Sequence, residues 1–173
     1  MNKNYFVMFN LKKKFNINKK KLTKNFYSLQ KKFHPDMNVL KSNKIKNKFL
    51  KKSIQINQGY KILKNSFKRA KYFLKINNIK ISKKCFFEQS FLMKQIKLHK
   101  KFNVLRKLKN KKKIKKLIKK IKILINNYKK KLTYHIFKKN WKSCKLKIFK
   151  ISFLKKFKKN VEKFIFNLSF KEN

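Results

Sequence analysis

The stretch KKFHPDMN, residues 31–38, contains the only proline and the only aspartate of the chain, together with one of its three histidines. Proline removes a backbone donor and pushes the preceding residue towards an extended conformation, so Pro35 predicts that a helix ends at His34. In a shuffled sequence this histidine–proline–aspartate order would arise with odds on the order of one in ten thousand. Chance formation of a simple turn is therefore a poor explanation of the tripeptide.

Two amphipathic patterns flank the tripeptide. Between residues 18 and 33, apolar side chains recur at helical spacing with lysines between them, at Leu22, Phe26, Leu29 and Phe33. Across residues 42–67 they recur by threes, fours and one seven-residue step, at Ile45, Phe49, Ile56, Tyr60, Leu63 and Phe67. These patterns predict an antiparallel helical hairpin with the tripeptide in its connection, flanked by short apolar helices near residues 5–9 and 69–74.

The second half of the chain predicts a helical bundle. The polar stretch NNIKISKK, residues 77–84, is typical of a boundary, and three further helical patterns follow it. Their apolar positions are Phe87, Phe91, Met93, Ile96, Phe102 and Leu105; Ile114, Leu117, Ile118, Ile121, Ile125, Tyr128 and Leu132; and Leu146, Phe149, Phe153, Val161, Phe164 and Leu168. The lysine-rich run at 107–116 is predicted to form a connection and the start of the middle helix. We expect an all-α fold with a hairpin domain at 1–76, a linker at 77–84 and a three-helix bundle at 85–173.

The charge of the chain is extreme, with 55 Lys and Arg against 4 acidic residues and a net charge of +51. Such a charge ordinarily indicates binding to nucleic acid or to an anionic membrane. Lys, Asn, Ile and Phe are enriched together, however, and all four can be encoded by codons made only of A and T. An A+T-rich genome would produce this composition whatever the function. A highly basic helical RNA-binding protein remains the alternative interpretation, although the aromatic residues fall on apolar stripes, where core packing accounts for them.

Several other classes of protein are not expected. Lysine interrupts every apolar run before the roughly 18 residues that a membrane span needs, so we expect a cytoplasmic protein without membrane insertion. Cys85 and Cys144 are far apart, which predicts no metal cluster, and we expect no cofactor. His99 and His135 have no carboxylate or Cys at ligand spacing, and one glycine cannot form a glycine-rich phosphate loop. We therefore do not expect an enzyme.

The tripeptide and its two helices resemble the J-domain, the module that stimulates ATP hydrolysis by DnaK-class chaperones. Other segments follow one another as in HscB, the J-domain co-chaperone of iron–sulfur cluster assembly. They are NYFVMFNL at 4–11, SLQKKFHPD at 28–36, INQGYKILKNSFKRAKYFL at 56–74, FLMKQIKL at 91–98 and FLKKF at 153–157. The chain is similar to this family over nearly its whole length.

The resemblance implies a co-chaperone that binds two proteins and breaks no bond itself. Residues 1–76 would be the J-domain, which stimulates a DnaK/HscA-type ATPase chaperone, and residues 85–173 would hold an IscU-type iron–sulfur scaffold protein. The implied chaperone-binding residues are His34, Pro35, Asp36, Lys24, Lys31 and Lys32. The implied scaffold-binding residues are Leu92, Met93, Ile96 and Phe153. The resemblance implies no specific binding to nucleic acid.

Three residues depart from the family pattern. Lys97 and Lys100 stand beside the implied scaffold-binding residues, at positions where HscB proteins often carry glutamate. Gly59 stands where J-domains commonly have alanine, at a cost of about 1 kcal/mol of helix propensity.

Overall fold

The structure, a computed structural model, describes residues 4–34, 42–81 and 88–170. Within those ranges the chain forms helices and no strands, which confirms the all-α prediction. The helices are α1 (Tyr5–Met8), α2 (Lys19–Phe33), α3 (Asn43–Lys64), α4 (Ser66–Ile76), α5 (Gln89–Lys107), α6 (Lys111–Phe137) and α7 (Trp141–Phe170). They belong to two compact units, Met1–Lys80 and Ile81–Asn173.

The first unit is built on the hairpin of α2 and α3. The Asn18 side chain accepts a hydrogen bond from the backbone N–H of Lys21 at 3.0 Å and caps the start of α2. The helix ends as predicted, with His34 in an extended conformation at φ −67° and ψ 135°. The Phe26 ring stacks on Tyr60 with centroids 3.9 Å apart, and Phe33 contacts Phe49 at 5.5 Å. Since residues later in α2 meet residues earlier in α3, the two helices are antiparallel.

Helix α1 packs closely against α3 at Gly59. The core beneath it consists of Phe6, Phe9, Leu22, Ile56 and Leu63, all fully buried. A Cβ atom on Gly59 would lie 2.7 Å from Tyr5 Cδ1, so that something would have to shift, and 3.0 Å from Phe9 Cε2, which is a tight contact. Glycine therefore allows α1 to approach α3 without displacing these rings, which accounts for the departure from alanine.

The second predicted helix of the hairpin is shorter than its apolar pattern indicated. It ends at Lys64, and the Asn65 side chain accepts hydrogen bonds from the backbone N–H groups of Phe67 and Lys68 at 3.0 and 3.1 Å. The assignment of Phe67 to that helix was wrong, because this residue lies in the first turn of α4. The first apolar residue of the predicted pattern is also not part of the core, because Ile45 is 40% exposed. The predicted short helix at 69–74 is α4, which begins earlier, at Ser66.

A buried arginine joins the parts of the first unit. The Arg69 guanidinium donates to the carbonyl oxygens of Phe15, at 2.9 Å, and of Leu63. It also lies over the Phe15 ring, with its central carbon 5.1 Å from the centroid. Burial lowers the pKa of Arg69. Its hydrogen bonds hold the α1–α2 connection against the corner between α3 and α4.

The second unit is a bundle of α5, α6 and α7. The Phe91 ring contacts Tyr128 at 6.2 Å and Phe153 at 6.3 Å, whereas Phe102, further along α5, contacts Phe164 at 5.8 Å. Early residues of α5 therefore contact early residues of α7, and later residues contact later ones, so these two helices are parallel. Helix α6 connects them and runs antiparallel to both. The predicted lysine-rich connection lies at residues 108–110, between α5 and α6.

Two of the predicted apolar stripes in the bundle differ from the observed core. The buried residues of α5 are Phe91, Gln95, Leu98, Phe102 and Leu105. Met93 and Ile96 lie outside this stripe and are exposed. In α7 the buried apolar residues are Cys144, Ile148, Ile151, Leu154, Phe157, Val161 and Leu168, whereas Phe153 is exposed. Cys144 is a buried free thiol, and burial raises its pKa to about 11.

An ion pair connects the start of α5 to α7. The ammonium of the buried Lys150 lies 3.0 Å from Glu88 Oε2 and 5.0 Å from the Phe91 centroid. The hydrogen bond and the positive charge of Lys150 lower the pKa of Glu88 below its ordinary value. The pair therefore favours the ionised carboxylate of Glu88 and holds it next to the bundle core.

Candidate partner-binding surfaces

The first candidate surface is the solvent-facing side of α2. Lys24, Lys31, Lys32 and His34 are all exposed, as their predicted roles require. Pro35 and Asp36 lie outside the described residues. Lys24 and Lys31 are seven positions apart and share one face of the helix. Lys32 is displaced from Lys31 by about 100° around the helix axis, and its ammonium lies 5.8 Å from the Phe33 centroid.

The sequence interpretation missed a tyrosine on this surface. Tyr27 lies between Lys24 and Lys31 at helical spacing and is 65% exposed, so an aromatic ring lies among the cations. The sequence could have indicated this, because Tyr27 follows Lys24 by three residues and is not one of the apolar positions that form the buried side of α2. We call Lys24, Tyr27 and Lys31 the α2 basic face.

The described charged side chains around the α2 basic face are all basic. Residues 4–34 and 42–80, the part of the first unit that the structure describes, contain no Asp or Glu. Clustered cations without neighbouring anions attract an acidic partner and speed its encounter. The α2 basic face therefore suits an acidic protein surface. His34 is the C-cap residue of this helix.

The second candidate surface is apolar and lies on the bundle. Leu92, Met93 and Ile96 of α5 are 44%, 49% and 46% exposed, and Phe153 of α7 is 39% exposed. The Phe153 ring lies 6.3 Å from Phe91 and 6.1 Å from His99, which precede and follow the three α5 residues. The fold thus places Phe153 of α7 next to the segment of α5 that carries Leu92, Met93 and Ile96, which lies far earlier in the sequence. We call these four residues the α5 apolar patch.

His99 also belongs to the border of this patch. Its imidazole stacks on the Phe157 ring with centroids 4.0 Å apart, and it contacts Phe153 as well. The sequence interpretation treated His99 as an isolated helical histidine. His99 follows Ile96 by three residues and Leu92 by seven, so all three lie on one side of a helix. This spacing could have placed His99 beside the patch from the sequence alone.

Both glutamates in the described ranges contact lysines: Glu88 contacts Lys150, and Glu162 Oε1 lies 2.8 Å from Lys158 Nζ. Among residues 4–34, 42–81 and 88–170, no three His, Cys, Asp or Glu side chains lie together in an arrangement that could hold a metal ion. None of the helices that the structure describes is long and apolar enough to cross a membrane.

The chain is similar in sequence to curated co-chaperones, although no family model matches it. It is 55% identical to Co-chaperone protein HscB of Buchnera aphidicola subsp. Acyrthosiphon pisum (strain Tuc7) over 80 residues, 46% of each chain. It is 35% identical to the HscB homolog of Pseudoalteromonas atlantica over 95 residues, 54% of each chain. The chain therefore matches about half the length of these relatives, and they are named as co-chaperones and not as enzymes.

Solved structures extend the likeness over most of the chain. Chaperone HscB from Vibrio cholerae matches with a TM-score of 0.80 and 26% identity, covering 96% of this chain and 99% of that one. Human co-chaperone protein HscB matches in fold, with a TM-score of 0.81 and 19% identity, covering 93% of this chain and 81% of that one. The helical hairpin, the three-helix bundle and the sequence identity agree, and together they support an HscB-family co-chaperone.

Proposed function

We propose that this protein stimulates the ATPase of a DnaK/HscA-type chaperone and delivers an IscU-type iron–sulfur scaffold protein to it. In this role it assists cluster transfer and the maturation of iron–sulfur proteins in the cytoplasm. Residues 1–76 act as the J-domain, 77–84 as a linker and 85–173 as the scaffold-binding bundle. The observation that carries the proposal is the α2 basic face, which leads to His34 at the helix end immediately before Pro35 and Asp36.

The chaperone-binding half of the proposal follows from charge and backbone geometry. The α2 basic face steers the first unit towards an acidic surface of the chaperone. His34 leaves the helical conformation, so this exposed residue is the first one beyond α2, and Pro35 and Asp36 follow it in the sequence. His34, Pro35 and Asp36 contact the ATPase region and bind more tightly to the hydrolysing, substrate-retaining state of the chaperone than to its other state. This difference in affinity shifts the chaperone towards that state.

The scaffold-binding half of the proposal follows from the exposed apolar side chains. Leu92, Met93, Ile96 and Phe153 leave apolar surface in water that a partner can bury. A central apolar cluster of this kind contributes most of the binding free energy in many interfaces. The α5 apolar patch holds the scaffold protein while the first unit contacts the ATPase, so that one chain brings cargo and chaperone together.

The RNA-binding alternative is not favoured. The curated relatives are co-chaperones. Many of the aromatic rings lie in the two cores, including Phe6, Phe9, Phe91, Phe102 and Phe157. Buried rings cannot serve as a platform on which bases stack.

The ATPase rate of the DnaK/HscA-type chaperone from the same organism tests the proposal. The wild-type protein is expected to raise that rate several-fold, and a His34→Gln variant is expected to lose the stimulation. His135→Gln makes the same substitution in the second unit and serves as the control, with stimulation unchanged. Absence of stimulation by the wild type, or equal stimulation by His34→Gln, would contradict the proposal.

The α2 basic face is tested by the concentration that gives half-maximal stimulation. Replacing Lys24 and Lys31 with alanine is expected to raise it on the order of tenfold at low salt, because the encounter loses electrostatic attraction. Lys44→Ala with Lys51→Ala is the matched control, since these exposed lysines of α3 have the same seven-residue spacing. Equal effects of the two pairs would show that overall charge, and not this face, guides binding.

A further inference from the structure

The α5 apolar patch has a basic edge along one side. Lys97 and Lys100 follow Met93 by four and seven positions, so the three side chains form one line along the helix. Lys100 also lies four positions after Ile96, directly beside the apolar residues. Both lysines are exposed. A partner that covers Met93 and Ile96 therefore has to meet two positive charges at the border of its contact.

The opposite edge of the patch is aromatic. Leu92 and His99 are seven positions apart on the side of α5 that faces α7, and His99 contacts Phe153 and Phe157 there. The patch is thus polarised across its width, with rings along the α7 side and lysines along the far side. This polarity is a property of the assembled bundle, because it depends on where α7 lies.

The glutamates of the described residues do not neutralise the basic edge. Glu88 contacts Lys150, and Glu162 contacts Lys158. A partner with lysine or arginine opposite Lys97 and Lys100 would bring like charges together across the interface, which opposes binding. A partner with carboxylates there would be attracted. Lysine is abundant throughout this chain, but the electrostatic requirement on the partner is the same whatever the origin of these two residues.

We infer that the scaffold protein presents apolar side chains to Leu92, Ile96 and Phe153 and carboxylates to Lys97 and Lys100. This inference rests on the proposed function, because it specifies the charge of the partner at the surface proposed to bind it. The apolar contact supplies affinity, and the basic edge selects the partner and sets its orientation on α5.

Titration calorimetry with the IscU-type scaffold protein of the same organism tests the inference. A Lys97→Glu, Lys100→Glu variant is expected to bind on the order of tenfold more weakly at low salt. The matched control is Lys112→Glu with Lys115→Glu on α6, two exposed lysines with the same spacing, which should change affinity by less than about twofold. The difference between the two variants should shrink near 0.5 M salt, where screening is strong.

A third variant separates the inference from the proposed function. Leu92→Ser removes apolar contact and should abolish measurable binding at any salt concentration, while far-UV circular dichroism confirms that each variant keeps its helical content. Suppose that Leu92→Ser fails to bind but the Lys97→Glu, Lys100→Glu variant binds as well as or better than wild type. The inferred carboxylates of the scaffold protein would then be wrong, while the α5 apolar patch would still be the binding surface. If the wild type does not bind the scaffold, or Leu92→Ser binds normally, the proposed surface is wrong and the inference falls with it.

Discussion

Gly59, the single glycine of the chain, shows how one side chain can set the distance between two helices. In isolation it weakens α3, because glycine costs about 1 kcal/mol relative to alanine in a helix interior. In the folded unit it faces the rings of Tyr5 and Phe9. Tyr5 is held in turn by Tyr72, whose ring lies 4.9 Å away and whose hydroxyl accepts a hydrogen bond from the Tyr5 backbone N–H. The ring therefore has little freedom to move aside.

Gly59→Ala is expected to destabilise the protein in spite of its better helix propensity. Overpacking a close contact costs typically about 1–3 kcal/mol, and the middle of this range exceeds the gain of about 1 kcal/mol from propensity. We expect a net loss of about 1 kcal/mol in the free energy of unfolding, measured by urea denaturation. Asn47→Ala, at an exposed position of the same helix, is the control and should be neutral or slightly stabilising. A more stable Gly59→Ala protein would show that α1 can move away from α3 without loss.

Helix boundaries in this chain depend on asparagine side chains. Asn4, Asn18, Asn65, Asn110 and Asn140 each accept a hydrogen bond from a backbone N–H in the first turn of the following helix. The sequence contains only one proline and one glycine, so other residues mark most helix ends. Asparagine caps begin helices, and residues with left-handed backbone conformation, such as Lys109 and Lys139, follow the ends of helices. Asn65 lies between α3 and α4, where its side chain caps the first turn of α4.

Asn65→Ala is expected to lower the free energy of unfolding by about 1 kcal/mol, because the backbone N–H groups of Phe67 and Lys68 lose their acceptor. Urea denaturation followed by circular dichroism measures the change. Ser42→Ala is the matched control: Ser42 is the N-cap residue of α3 but makes no capping hydrogen bond through its side chain. Equal stabilities of the two variants would mean that the Asn65 cap contributes nothing and that packing alone defines the corner.

The electrostatics of the whole molecule oppose folding. A net charge of +51 on 173 residues creates self-repulsion, which is greatest when the chain is compact. Two ion pairs, Lys150 with Glu88 and Lys158 with Glu162, are seen among the residues that the structure describes. Apolar burial in the two cores therefore has to provide the stability against this repulsion.

The melting temperature is expected to rise when potassium chloride is added, because salt screens repulsion between lysines more than it weakens these few ion pairs. Thermal unfolding followed by circular dichroism between 0.05 and 1 M salt measures the effect. The rise should level off as the Debye length falls from about 10 Å at 0.1 M to about 3 Å at 1 M. A falling melting temperature would contradict this account, and a linear rise without a plateau would point to general solute exclusion instead of screening.

Much of the secondary structure follows from local pattern in the sequence. The apolar spacing before Pro35 predicted α2 and its end at His34, and the three later patterns predicted the bundle helices. These features are local, since periodicity and a proline act within a few turns of helix. The roles of His34, Pro35, Asp36, the lysines of α2 and the α5 apolar patch remain predictions.

The side of a helix that is buried, and the residues that meet across helices, depend on tertiary packing. Leu63 and Phe67 are four residues apart, so spacing alone could not show that Asn65 breaks the helix between them. Met93 and Ile96 are apolar residues at helical spacing, yet the core of the bundle lies against Phe91, Gln95 and Leu98. The placement of Phe153 beside α5 likewise needs the parallel arrangement of α5 and α7. An amphipathic pattern specifies that a helix forms, but the positions of its neighbours determine which apolar side chains are covered and which stay exposed for a partner.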